Sequence, residues 1–193
     1  MTKSGRIELM APAGDFTSLQ AALDNGADSI YFGVEQLNMR ARASMNFTIL
    51  DLPEISKRCK EKGVRTYLTL NTIIYDHDLS IIKTLLDKAK EADLTAVIAM
   101  DQAVIAYARQ IGMEVHISTQ INITNIETVR FYSLFADTMV MSRELSINQI
   151  KKICQQIEKE QIKGPSGNLV EVEIFGHGAL CMAVSGKCYL SLH

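Results

Sequence analysis

The residues best suited to chemistry are two cysteines close to the end of the chain. Cys181 and Cys188 are separated by six residues, just after a β-branched run. Thiolates at such a place either undergo redox exchange or ligate soft metals and iron–sulfur clusters. The spacing is not the CxxC of a zinc ribbon, and a closed metal or cluster site takes about four protein ligands. The pair is therefore redox-active, unliganded, or part of a larger set whose other members lie beyond His193. The other two cysteines read differently. Cys59 shares a helical phase with Leu52 and Ile55, and Cys154 lies beside Ile150, Ile153 and Ile157. Both fit core thiols.

Polar residues at the ends of apolar runs come next. Side chains alternate along a strand, so each run has two faces. In Glu114–Gln120, Val115, Ile117 and Thr119 oppose His116, Ser118 and Gln120. In Val64–Asn71, Leu68 and Leu70 oppose Tyr67, Thr69 and Asn71, and in Leu169–His177, Val170 and Val172 oppose Glu171, Glu173 and His177. Asn71, Gln120 and His177 are thus candidate catalytic residues, the alternative for each being a satisfied buried polar group. Arg40 and Arg42 lie in the long segment LNMRARASMNFT and share a face if it is extended, while Arg143 follows the sixth run directly. A planar guanidinium pairs well with a carboxylate or other anion, which makes these three candidate substrate-binding residues. The chain holds no HExxH helix and no GxSxG elbow, so the sequence displays no peptidase machinery.

These groups need a scaffold. The 193 residues suffice for one domain, and 47% hydrophobic with 22% charged residues is ordinary for a globular chain. No apolar run reaches the roughly 18 residues of a membrane span, and the opening MTKSGRIELMAPAGD lacks the apolar core of a signal peptide. A cytoplasmic location without membrane contact is the expectation. A net charge of −2 argues against gripping nucleic acid mainly through phosphates, but not against taking one nucleotide into a pocket.

Short β-branched runs alternate with amphipathic ones. Strands are predicted at Ile7–Ala11, Ser29–Val34, Val64–Asn71, Ala96–Met100, Glu114–Gln120, Thr138–Ser142 and Leu169–His177. Helices are predicted at Phe16–Asn25, Leu50–Lys62, Leu79–Ala92, Gln102–Gln110, Ile126–Phe135 and Ile147–Gln161. Asp15, Asp78, Asp101, Asn125 and Ser146 stand at N-cap positions, and Gly26, Gly63 and Gly112 stand just past helix ends. Repeated strand–helix units imply a parallel sheet with right-handed crossovers. The expected fold class is α/β, a TIM-like (β/α)8 barrel truncated to about seven strands and six helices, a single incomplete barrel domain over residues 1–193. A doubly wound open sheet is the runner-up, disfavoured because no GxGxxG follows the first run.

The segment Glu173–Ser191, EIFGHGALCMAVSGKCYLS, resembles the signature of the collagenase-like peptidase family, peptidase family U-thirty-two. The matching positions are Glu173, Phe175, Gly178, Ala179, Leu180, Cys181, Gly186, Cys188 and Ser191. ELMAPAGD, NGADSIYFGV, the Arg40/Arg42/Asn46/Phe47 segment, Ser118-x-Gln120-x-Asn122 and SRELS at Ser142–Ser146 extend the likeness along the chain. The family's name implies proteolysis of a peptide substrate. Other branches are similar to bacterial factors that hydroxylate a tRNA uridine, a ribosomal RNA cytidine, or ubiquinone. The resemblance is nearest to the RNA branches. It implies a [4Fe-4S] cluster with Cys181 and Cys188 as two of its ligands, prephenate as co-substrate, and RNA (tRNA or ribosomal RNA) as partner. It also implies that family chains continue past this motif, so a partner chain or a C-terminal remainder would supply the missing ligands.

Overall fold

The computed structural model describes residues 7–34, 47–178 and 183–187. Among these residues, seven strands, all parallel, form one sheet in the order β1-β2-β3-β4-β5-β6-β7. They are β1 (Met10–Pro12), β2 (Ser29–Phe32), β3 (Arg65–Leu70), β4 (Ala96–Ala99), β5 (Glu114–Ile117), β6 (Thr138–Val140) and β7 (Glu171–Glu173). Six helices alternate with them: α1 (Phe16–Asp24), α2 (Leu52–Glu61), α3 (Leu79–Glu91), α4 (Gln102–Gln110), α5 (Ile126–Tyr132) and α6 (Ile147–Glu160). Sequential neighbours pairing in chain order is the pattern of a β/α barrel rather than of a doubly wound sheet, whose order reverses at a switch point.

The sheet's two faces have different chemistry. The outer face packs Leu68, Leu70, Val97, Val115, Ile117 and Met139 into the main core with helix residues such as Leu52, Ile55, Leu86, Val104 and Val129. The inner face carries a small separate cluster of Tyr67, Ala96 and Ile98, against which Met10 and Tyr31 pack. The apolar phases of β3 and β5 therefore face the helices, as their alternation predicts. Cys59 is fully buried in the outer core, and desolvation pushes its thiol up to about 11.

Helix starts follow the local chemistry. Asp15, Asp101, Asn125 and Ser146 each accept a backbone N–H of the first turn. Asp78 occupies the N-cap position of α3, as predicted, but makes no side-chain capping bond there. Its carboxylate accepts the Tyr75 N–H at 3.0 Å and closes the short 3₁₀ turn Asp76–Asp78 instead. Gly26, Gly63 and Gly112 take positive φ past the ends of α1, α2 and α4.

Several strands end earlier than alternation suggests. β5 stops at Ile117 because the Ser118 hydroxyl accepts the Gln120 N–H and the chain turns into a 3₁₀ segment, Thr119–Ile121, closed by left-handed Asn122. β7 keeps only Glu171–Glu173 of the predicted Leu169–His177. Its start is lost to the turn that pairs Lys163 with Leu169 antiparallel, and Ile174 beyond its end is exposed.

Candidate active site

In a barrel of this kind the loops after the strands form the working mouth. Three of those segments interlock. The turn after β5 and the SRELS segment after β6 meet where the Ser142 hydroxyl donates to Asn122 Oδ1 at 2.6 Å. The Ser142 N–H reaches back to the Ile123 carbonyl at 3.0 Å. Residues 183–187, which lie between the two signature cysteines, then dock onto this pair.

That docking is specific. Glu144 Oε1 accepts the Ser185 N–H at 2.6 Å. Burial, the largest single influence, would raise the Glu144 carboxyl, but the hydrogen bonds from Ser185 and from its own backbone N–H, with the Arg143 charge beside it, together hold the group below its ordinary range. Arg143 donates its own N–H to the Ser185 hydroxyl at 3.3 Å and one guanidinium nitrogen to the Ala183 carbonyl at 3.2 Å. Gly186, at φ +75°, lies so close to the Gln120 carbonyl that a Cβ would fall 2.3 Å from the oxygen.

Beneath the mouth, the inner face is charged. His116 of β5 has its side chain 3% exposed, between two carboxylates. Its Nε2 meets Glu114 Oε1 at 3.1 Å, and its Nδ1 is 3.8 Å from Glu173 Oε2. Desolvation would lower the imidazole, but the two carboxylates outweigh it and raise its pKa above the ordinary histidine value. The hydrogen bond to His116 in turn lowers the Glu114 carboxyl. Tyr67 packs on the imidazole with ring centroids 4.5 Å apart and donates to Glu8 Oε1 at 3.0 Å, and Arg65 pairs with Glu8.

The predicted residues fall in different places. Gln120 and Arg143 come together through the docked segment. Asn71 is half-buried, one residue past β3. His177 is exposed, four residues beyond β7. Arg40, Arg42, Cys181 and Cys188 lie outside the described residues. Among the described residues, no group of three His, Cys, Asp or Glu side chains is placed to hold a metal ion. Sequence reasoning missed Ser185 and Glu144 as the docking contacts, and it missed the Glu8–Arg65–Tyr67–His116–Glu173 cluster. Strand alternation did place Glu173 and His116 on inner faces, which was the available signal.

A parallel, helix-wrapped sheet with strands paired in chain order and a polar mouth defines a β/α-barrel scaffold. The chain belongs to Peptidase family U32, which it matches over residues 14–193. It is 55% identical over 186 residues to a protein named collagenase from Porphyromonas gingivalis, covering 96% of this chain and 45% of that one. It is 33% identical over 189 residues to tRNA hydroxylation protein P of Helicobacter pylori, covering 96% and 42%. It is 32% identical over 189 residues to a 23S rRNA 5-hydroxycytidine synthase of Escherichia coli, covering 97% and 27%. The chain thus spans less than half the length of each of these relatives. A solved U32 peptidase structure shares the fold with a TM-score of 0.65 at 16% identity, over 90% of this chain and 70% of that one. No helix among the described residues is long and apolar enough to cross a membrane.

Proposed function

We propose that this chain is the barrel part of an RNA-base hydroxylation protein. The observation that carries the reading is the docked segment 183–187, fastened by Arg143, Glu144 and Gln120 over the barrel mouth. This segment spans the interval between Cys181 and Cys188. An anchored interval between two cysteines suits two members of a ligand set. The donor chemistry agrees, since two thiolates are half of what a [4Fe-4S] cluster takes. When bound, such a cluster supplies one-electron chemistry. In this reading Cys181 and Cys188 are two of its ligands and Arg143 holds the segment that carries them. Arg40 and Arg42 bind the carboxylates of prephenate, and Asn71, Gln120 and His177 line the path of a tRNA or ribosomal RNA nucleotide.

The test compares hydroxylated nucleosides in tRNA and ribosomal RNA from cells with and without the gene, by mass spectrometry. Loss of a hydroxylated uridine or cytidine, restored by the wild-type gene but not by Cys181→Ser or Cys188→Ser, is the expected result. Unchanged RNA would sink the reading. A second reading, proteolysis, is favoured by the 55% identity to a protein named collagenase. Peptide hydrolysis that survives loss of both cysteines would select it.

A further inference from the structure

We propose that the barrel interior holds a binding site for one hydroxyl group, seated between His116 Nδ1 and Glu173 Oε2. Both atoms are buried and neither has a hydrogen-bond partner. They stand 3.8 Å apart, too far for a direct hydrogen bond. Buried polar atoms are nearly always satisfied, so two orphans facing one another mark a place where a third group belongs.

The pair selects the chemistry of that group. His116 Nε2 is already engaged with Glu114 Oε1 at 3.1 Å, and the flanking carboxylates raise the imidazole's pKa against the desolvation that lowers it, which favours the form in which Nδ1 is also a donor. Glu173 Oε2 offers only an acceptor. The guest must accept one hydrogen bond and donate another. A carbonyl, a carboxylate or a fully ionised phosphate cannot donate, and an ammonium cannot accept. A hydroxyl oxygen does both, and set off the line joining the two atoms it can lie about 2.8 Å from each.

The surroundings suit a neutral guest. Tyr67 of β3 walls the imidazole on one side, and the Glu8–Arg65 pair beyond it is internally balanced. Ile98 of β4 and Thr138 of β6 flank His116 in register and add no charge. Thr69 Oγ1 on β3, in the same register row as Ile98 and His116, is a third buried orphan. The hydroxyl comes from one of two sources, water or an alcohol group of a small ligand. The site does not depend on which reaction the protein performs.

A crystal structure of the full-length protein, taken with and without glycerol as the probe alcohol, tests this together with ¹⁵N NMR of the His116 ring. An oxygen within about 3.2 Å of both atoms is expected. Glycerol occupying that position, with the Nδ1 resonance moving as glycerol is added, assigns the alcohol source. A lone oxygen and a resonance that glycerol leaves unmoved assign water. Glu173→Leu removes the acceptor and is expected to empty the position while the His116 signal still reports a folded barrel. Nδ1 and Oε2 in direct hydrogen-bond contact with nothing between them, or an oxygen that persists in Glu173→Leu, overturns the site.

Discussion

Gly186 rests against the backbone carbonyl of Gln120, with room for a hydrogen and none for a methyl. Its φ of +75° lies where an L side chain costs about 1–2 kcal/mol. Gly186→Ala adds that strain to an overlap with backbone that cannot swing aside. The two penalties fall on a surface segment, so the barrel should stay folded while residues 183–187 come away from the mouth. Hydrogen exchange by mass spectrometry should show faster exchange at Ser185 and unchanged exchange in β3 and β4. Under the proposed function, RNA hydroxylation should drop with it.

Arg143 gives a related result by different means. Its N–H and guanidinium reach Ser185 and Ala183 from one side, while Glu144 holds the Ser185 N–H from the other. Arg143→Met keeps the aliphatic stem and the backbone donor but removes the guanidinium contacts. Because the side chain is exposed, global stability should change by no more than about 0.5 kcal/mol. Limited proteolysis should nonetheless cut faster near residue 183 in the variant. Equal rates of cutting would mean that Glu144 and Gly186 suffice.

The scaffold was more legible than the mouth because different interactions write them. Leu68 and Leu70 face the helices and Tyr67 faces inward for a local reason, the two-residue period of a strand. Asp101 and Ser146 announce helix starts for an equally local one. The end of β5 depended on a competition that alternation cannot see: Ser118 offers the Gln120 N–H a partner outside the ladder. Arg143 and Ser185 are distant in sequence, and nothing in either residue names the other. His116 was read as a polar residue on an inner face, but its two carboxylates come from its own strand and from one two strands away. Pairings that the fold alone creates are the part that sequence patterns do not carry.

The core thiol Cys59 makes a direct control; Cys154, whose helical phase also pointed to the core, is only partly buried on α6. Cys59 is fully buried, and desolvation holds its thiol at about 11, so almost no thiolate exists at pH 8. In the folded protein iodoacetamide should leave Cys59 unmodified for as long as the barrel persists. Denaturant should expose it in step with unfolding. Cys59→Ser should cost about 1–3 kcal/mol, since a hydroxyl placed in that apolar core has to find a new partner. Urea melts of wild type and variant measure the difference.

His116 predicts how stability changes with pH. Its folded pKa is raised above the ordinary 6.5, so its contribution is full below pH 6.5 and is lost as pH rises through the folded value. The Glu114 pKa is depressed below 4.5, so its contribution is present above that value and is lost as pH falls through the folded one. Together they place this cluster's greatest stabilisation between about pH 4.5 and 6.5, with the alkaline loss belonging to His116. His116→Gln keeps one hydrogen bond to a neighbouring carboxylate but removes the charge between Glu114 and Glu173. At pH 6 it should destabilise by about 1–3 kcal/mol, because the two carboxylates lose the charge-assisted partner between them. As pH rises through the folded value the wild-type histidine loses its charge, so the gap between wild type and variant should narrow. Denaturant melts of both proteins across this range measure it. A gap that stays constant from pH 6 to pH 9 would mean that the imidazole does not change its charge across that range.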